Sequence, residues 1–123
     1  MIFYSFGKRI KNFVKIKIIS ILNSNKVISE EATSKNGIVI FYYPSGKIRA
    51  ECTYRNNVLE GVSKHFFEDG KVRVKENYKN GKLEGLSKYY FENGQVEFEK
   101  YFKNGLLKYK NQFDKEGNLI NKK

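Results

Sequence analysis

Two stretches of the chain are nearly the same sequence: GVSKHFFEDGKVRVKENYKNGKLE, Gly61 to Glu84, and GLSKYYFENGQVEFEKYFKNGLLK, Gly85 to Lys108. A weaker copy, GIVIFYYPSGKIRAECTYRNNVLE, precedes them from Gly37 to Glu60. All three share a 24-residue period. Gly37, Gly61 and Gly85 fall in one column, Gly46, Gly70 and Gly94 in a second, and Asn57, Gly81 and Gly105 in a third. Apolar columns keep the same spacing: Ile48, Val72, Val96; Leu59, Leu83, Leu107; Tyr54, Tyr78, Phe102. A fixed period of this length marks a repeat architecture, in which each unit buries its apolar surface against its neighbours. A partial copy follows from Tyr109 to Ile120, with Gly117 one residue early. Either its turn is shortened or its strand register shifts.

Each unit reads as two β-strands. The first is aromatic, as in Leu86 to Phe91. Val96 and Phe98 then alternate with Glu97 and Glu99, the period of two that puts one strand face against a core and the other in water. Asp69-Gly70 and Asn93-Gly94 lie between the strands and suggest a type I′ turn, because both residue types tolerate positive φ. Pro44 suits the leading corner of the first copy's turn. Asn56-Asn57, Asn80-Gly81 and Asn104-Gly105 supply the second turn. The expected fold is all-β: an elongated, single-layer antiparallel meander of tandem β-hairpins, with units at 37–60, 61–84 and 85–108 and a partial unit at 109–120. Helix is not expected beyond residue 36.

Residues 1–36 are different. Lys8, Arg9, Lys11, Lys15 and Lys17 stand among residues 1–25 with no acid. Phe6, Ile10, Phe13, Val14, Ile18 and Ile21 can line one side of a helix, yet Val14 to Ile18 also alternates as a strand does. A degenerate signal peptide and a decayed half-repeat leading into Gly37 are further readings.

The unit G-x-S-K-x-Y-Y/F-x-N/D-G-K/Q-V, continuing to K-N-G-K-L-x-G, resembles the MORN repeat. It is most similar to the bacterial variant found in proteins labelled YwqK-family toxin–antitoxin antitoxins. The resemblance covers residues 37–108 well and 109–120 loosely. It departs at Ile40, where the later copies have Lys64 and Lys88, and it omits the basic N-terminus. It implies a twisted sheet of hairpins that contacts proteins or lipids.

Composition excludes several chemistries. The 123 residues include one Cys and one His, too few for a disulfide framework, a multi-cysteine metal site or a two-histidine motif. His65 aligns with Phe41 and Tyr89, so it reads as a packed ring. Cys52 aligns with Glu76 and Lys100, so partial exposure is expected. Glu60 and Glu84 read as a solvated pair. No catalytic residue and no cofactor are expected.

Three consecutive aromatics cannot share one strand face. Phe41, His65 and Tyr89 therefore fall on one side, and Tyr42, Phe66 and Tyr90 on the other. The second row, flanked by Lys64 and Lys88 and by Lys79 and Lys103, is the candidate partner-binding face. The expected partner is a protein, a toxin by the resemblance, masked by aromatic anchors with lysines steering an acidic surface. The alternative is a membrane- or envelope-associated scaffold using the basic N-terminus on an anionic surface. Homodimers through open sheet edges are a further possibility. The net charge is +11, but residues 37–123 alternate acids with bases, so nucleic acid is not an expected partner. Cytoplasmic placement is expected first, with periplasmic or membrane-associated placement as alternatives.

Overall fold

Nine of the strands form one antiparallel path, and the alternation of short aromatic runs with Gly and Asn turns is what builds it. A computed structural model describes residues 8–10 and 35–123. Its strands are β1 (Lys8–Ile10), β2 (Gly37–Tyr42), β3 (Ile48–Arg55), β4 (Val58–Phe66), β5 (Val72–Lys79), β6 (Lys82–Leu83), β7 (Gly85–Tyr90), β8 (Val96–Lys103), β9 (Leu106–Phe113) and β10 (Leu119–Lys122). The order across the sheet is β10-β9-β8-β7-β5-β4-β3-β2-β1, and the two-residue β6 pairs with β5 beside that path. The sheet does not close into a barrel, and the described residues contain no helix. Within the basic N-terminus, Lys8–Ile10 is a strand paired with β2. Residues 1–7 and 11–34, with the helix, strand and signal-peptide readings that fall on them, lie outside the described residues.

The two turns of each unit are built differently, which corrects one expectation. At the first, Gly46, Gly70 and Gly94 have φ of 91° to 94°, while Ser45, Asp69 and Asn93 are not left-handed. Gly70 N–H donates to Phe67 O at 2.9 Å and Phe67 N–H to Lys71 O at 2.8 Å. This is a three-residue loop ending in a left-handed glycine, not a two-residue type I′ turn. The Asp or Asn instead folds back as an acceptor: Asp69 Oδ1 takes the Lys71 N–H and Asn93 Oδ1 the Gln95 N–H, each at 2.9 Å. The type I′ turn occurs at the second position. Asn56, Asn80 and Asn104 have φ of 49° to 54°, and Asn57, Gly81 and Gly105 of 70° to 83°.

The fourth copy keeps its turn, since Gly117 N–H still donates to Asp114 O. Its missing residue lies in the strand. Between β3 and β4, Thr53 alone stands opposite Glu60, Gly61 and Val62, a bulge of two extra residues. Between β8 and β9 only Lys108 is extra. The register shifts, and no residue corresponds to Gly61 or Gly85.

Neighbouring units are fastened at the second turns. Gly81 N–H donates to Leu59 O and Gly105 N–H to Leu83 O. The column two turns upstream supplies side-chain caps. Glu60 Oε1 accepts from Asn80 N–H at 2.8 Å, Glu84 Oε1 from Asn104 N–H at 2.9 Å, and Asn36 Oδ1 from Asn56 N–H at 2.9 Å. Glu60 and Glu84 are therefore turn caps for the following unit, not a merely solvated pair. The Asn104 N–H holds the Glu84 carboxyl below its usual range, helped by the Lys103 ammonium at 3.2 Å.

Most of the core is a ribbon on one face, with Ile40 buried on the other. One cross-strand row runs Val39, Cys52, Ser63, Glu76, with Ser87 beyond. The next runs Phe41, Ala50, His65, Val74, Tyr89, Phe98. On the other side, Gly37, Gly61 and Gly85 directly oppose Tyr54, Tyr78 and Phe102. Small residues in the centre flanked by rings let a single layer bury side chains without a second sheet. Val39 is 0% exposed and Ser63 and Ser87 are 1%. Cys52 shares that row and is buried, contrary to the exposure expected from its polar repeat partners. Burial pushes its thiol pKa up, so it is a packing residue and a poor nucleophile.

Ser87 Oγ is buried without a hydrogen-bond partner, which costs about 1–3 kcal/mol, whereas the Ser63 hydroxyl shares a side-chain hydrogen bond with the Cys52 thiol. Ser87→Ala is expected to leave stability unchanged or raise it by about 1 kcal/mol. Urea denaturation reads this, and a clear loss of stability in that variant would contradict it.

Candidate protein-interaction face

The opposite face is organised by the same register. Lys64 pairs with Lys75, and Lys75 with Lys88, so three lysines on three neighbouring strands stand directly side by side. Glu51 opposes Lys64 at one end and Glu99 opposes Lys88 at the other. Cross-strand neighbours lie about 4.8 Å apart, and like charges at that spacing repel. Among the described residues, Lys88 alone of the three makes an ion pair, to Glu99 at 3.3 Å.

Two rows border the lysines. Tyr42, Phe66 and Tyr90 end β2, β4 and β7, two residues on from Ile40, Lys64 and Lys88, and all three are half-buried. On the other side runs a row containing Ile38, Thr53, Val62, Asn77, Leu86, Tyr101 and Tyr109. Val62 and Leu86 are 41% and 42% exposed. Tyr101 and Tyr109 stack at 5.5 Å between centroids and 7° between planes. The lysines form a ridge between two open hollows. One, of about 310 Å³, is lined by Ile38, Glu51, Thr53, Val62, Lys64 and Lys75. The other, of about 570 Å³, is lined by Lys64, Gly70, Lys71, Val72, Lys75, Tyr90 and Gly94.

The fold thus brings Tyr42, Phe66, Tyr90, Lys64 and Lys88 to one face. Lys79 and Lys103 fall on the same face by strand alternation but at the strand ends beside the Asn-Gly turns, away from Tyr42, Phe66 and Tyr90, and Lys103 pairs with Glu84. Sequence reasoning missed Lys75, the centre of the ridge. Its own repeat partners are Glu51 and Glu99, so no column marks it. Only cross-strand register does.

The buried-core face carries the other polar cluster. Tyr78 and Tyr89 hydroxyls donate to the Glu76 carboxylate at 3.1 and 3.0 Å. The Lys100 ammonium lies 4.4 Å from the Tyr89 ring centroid, within cation–π range. Burial, aided by Glu76, pushes the Tyr89 phenol up to about 12 and the Tyr78 phenol higher still. Unfolded tyrosines ionise near pH 10. Between that pH and about 12 the folded chain holds protons that the unfolded chain has released, so stability falls as pH rises. Alkaline denaturation is expected to begin above pH 10. Tyr89→Phe should flatten the decline, and an unchanged alkaline midpoint would refute the assignment.

Burial lowers the His65 pKa, consistent with a packed ring in the aromatic column. The described residues contain no group of three or more His, Cys, Asp or Glu able to hold a metal ion. No helix among them is long and apolar enough to cross a membrane.

Sequence comparison agrees with the geometry. The MORN repeat variant model matches residues 35–56, 59–80 and 83–104, more than half of the chain. The chain belongs to the MORN repeat variant family. Each matched MORN unit starts two residues before Gly37, Gly61 or Gly85, spans one hairpin and ends on the first residue of the following turn, Asn56, Asn80 or Asn104. The MORN repeat is a non-enzymatic protein-interaction module. No curated protein matches the chain. Among solved structures, the chain is similar to an S. aureus TarM variant in complex with Fondaparinux, alpha-GlcNAc-glycerol and UDP. That match has 12% identity and a TM-score of 0.48, over 70% of this chain and 17% of that one. It is also similar to TarM (16% identity, TM-score 0.47, 85% and 20% covered) and to a GtfA/B complex bound to UDP and GlcNAc (14%, 0.42, 78% and 25%). The chain spans a quarter or less of each of those chains.

Proposed function

We propose that this MORN repeat array binds and masks an acidic protein partner, in the manner of an antitoxin, through its lysine face. One observation carries the reading: the Lys64, Lys75, Lys88 ridge, three directly opposed cations flanked by aromatic and apolar rows. An isolated sheet gains nothing from aligning like charges. A partner with acidic groups relieves that repulsion and is steered towards the face. Tyr42, Phe66 and Tyr90 then supply rigid anchoring area beside the charges. Binding by occlusion requires no reacting group on this chain.

Affinity capture from the native host with the full chain tests the proposal. An acidic partner is expected, retained by the wild-type chain and lost when Tyr42, Phe66 and Tyr90 are all changed to Ala. Retention by that variant would refute the face. Capture of no protein, together with sedimentation of the full chain on anionic vesicles, would overturn the reading in favour of a membrane scaffold.

A further inference from the structure

The two rows on the lysine face define the shape of what they receive. They run across the strands, with successive positions about 4.8 Å apart. Lys64, Lys75 and Lys88 therefore span about 9.6 Å in two steps. The row of Val62, Asn77 and Leu86, apolar at its two outer positions, runs alongside, two residues away on each strand, about 6.7 Å.

An α-helix laid across the strands meets these spacings. Its positions i, i+3 or i+4, and i+7 rise about 4.5 to 6 Å and then about 10.5 Å. Acids at those positions reach the three lysines in turn. A helix about 10 Å wide also covers both rows at once, one stripe on the lysines and the adjacent stripe on Val62 and Leu86. An extended segment fits poorly. Its same-side residues repeat every 6.6 to 6.8 Å. Crossing strands at a steep angle, it would also press its unpaired N–H and C=O groups against side chains, whereas a helix satisfies them internally. The stacked Tyr101 and Tyr109 rings close one end of the apolar row. Sheet twist of about 20–25° per strand limits a straight helix to a few strands, so about four turns suffice.

We infer that the segment received by the lysine face is an amphipathic α-helix, with an acidic stripe beside an apolar one. This rests on the masking function proposed above. Display of random 16-residue peptides on the immobilised full chain tests it. The expected consensus has Asp or Glu at i, i+3 or i+4, and i+7 beside apolar residues. Enriched peptides should gain helical circular dichroism on binding and lose at least about 10-fold in affinity against the Lys75→Glu variant. A consensus of alternating acids, binding without helix gain, indifference to Lys75→Glu or the absence of any acidic consensus would each overturn the inference. A partner captured from the host through this face by an extended segment would defeat the helix and leave the masking function standing.

Discussion

Gly61→Val lowers the stability of the chain by about 2–3 kcal/mol, seen as a fall in the urea midpoint with little change in slope. Gly61 sits in the two-residue bulge between β3 and β4 with φ of +101°. An L-residue there brings its Cβ against its own backbone, and a β-branched side chain has few rotamers with which to escape. Space is not the difficulty. A Cβ at Gly61 would meet Thr53 Cγ2 at 3.6 Å, an ordinary contact. The cost is conformational, so Gly61→Asn should cost less, because asparagine tolerates left-handed backbone better. A marginal domain has only about 5–15 kcal/mol in total, so the valine variant should also lose the protection of β3 and β4 amides in hydrogen exchange. Equal midpoints for valine and wild type would mean that the bulge is absent in solution.

Reversing the ridge has the largest expected effect on binding. The triple substitution Lys64→Glu, Lys75→Glu, Lys88→Glu changes the local charge by six units on an exposed surface. Affinity for the acidic partner should fall at least about 100-fold, chiefly through the association rate at low salt. The gap between variant and wild type should narrow as salt rises and the Debye length shrinks to about 3 Å at 1 M. The variant also aligns five acids from position 51 to position 99, which costs some stability, so the affinity is compared on chains whose circular dichroism shows the native sheet. A partner that binds the triple variant as tightly as the wild type would place the interface elsewhere.

Much of this architecture is legible in the 24-residue spacing. Columns of Gly, Leu and aromatics fix the number of hairpins, and strict alternation assigns Phe41, His65 and Tyr89 to one face and Tyr42, Phe66 and Tyr90 to the other. Backbone geometry is harder to read. Asn93-Gly94 and Asn104-Gly105 are the same dipeptide in two different turns. Loop length decides between them, and it depends on which residues pair. The cap formed by Glu84 spans 20 residues in sequence, so nothing local to Glu84 announces it. Cys52 misled because its column mixes Cys, Glu and Lys, and a half-covered row tolerates all three where rings lie beside it. Lys75 escaped because it lies on the second strand of its unit while Lys64 and Lys88 lie on first strands, so the lysine ridge joins different columns of the sequence.

The cap column has a consequence for how such arrays lengthen. Each unit supplies an acceptor that only the following unit uses, so the stack has a direction, like a row of plugs and sockets. Glu60 and Glu84 serve this way, whereas position 108 carries Lys. A copy of residues 61–84 inserted between Glu84 and Gly85 would find a socket before it and provide one after it. The same copy placed directly behind Lys108 would find none. Growth by internal duplication is thus favoured over growth by simple extension.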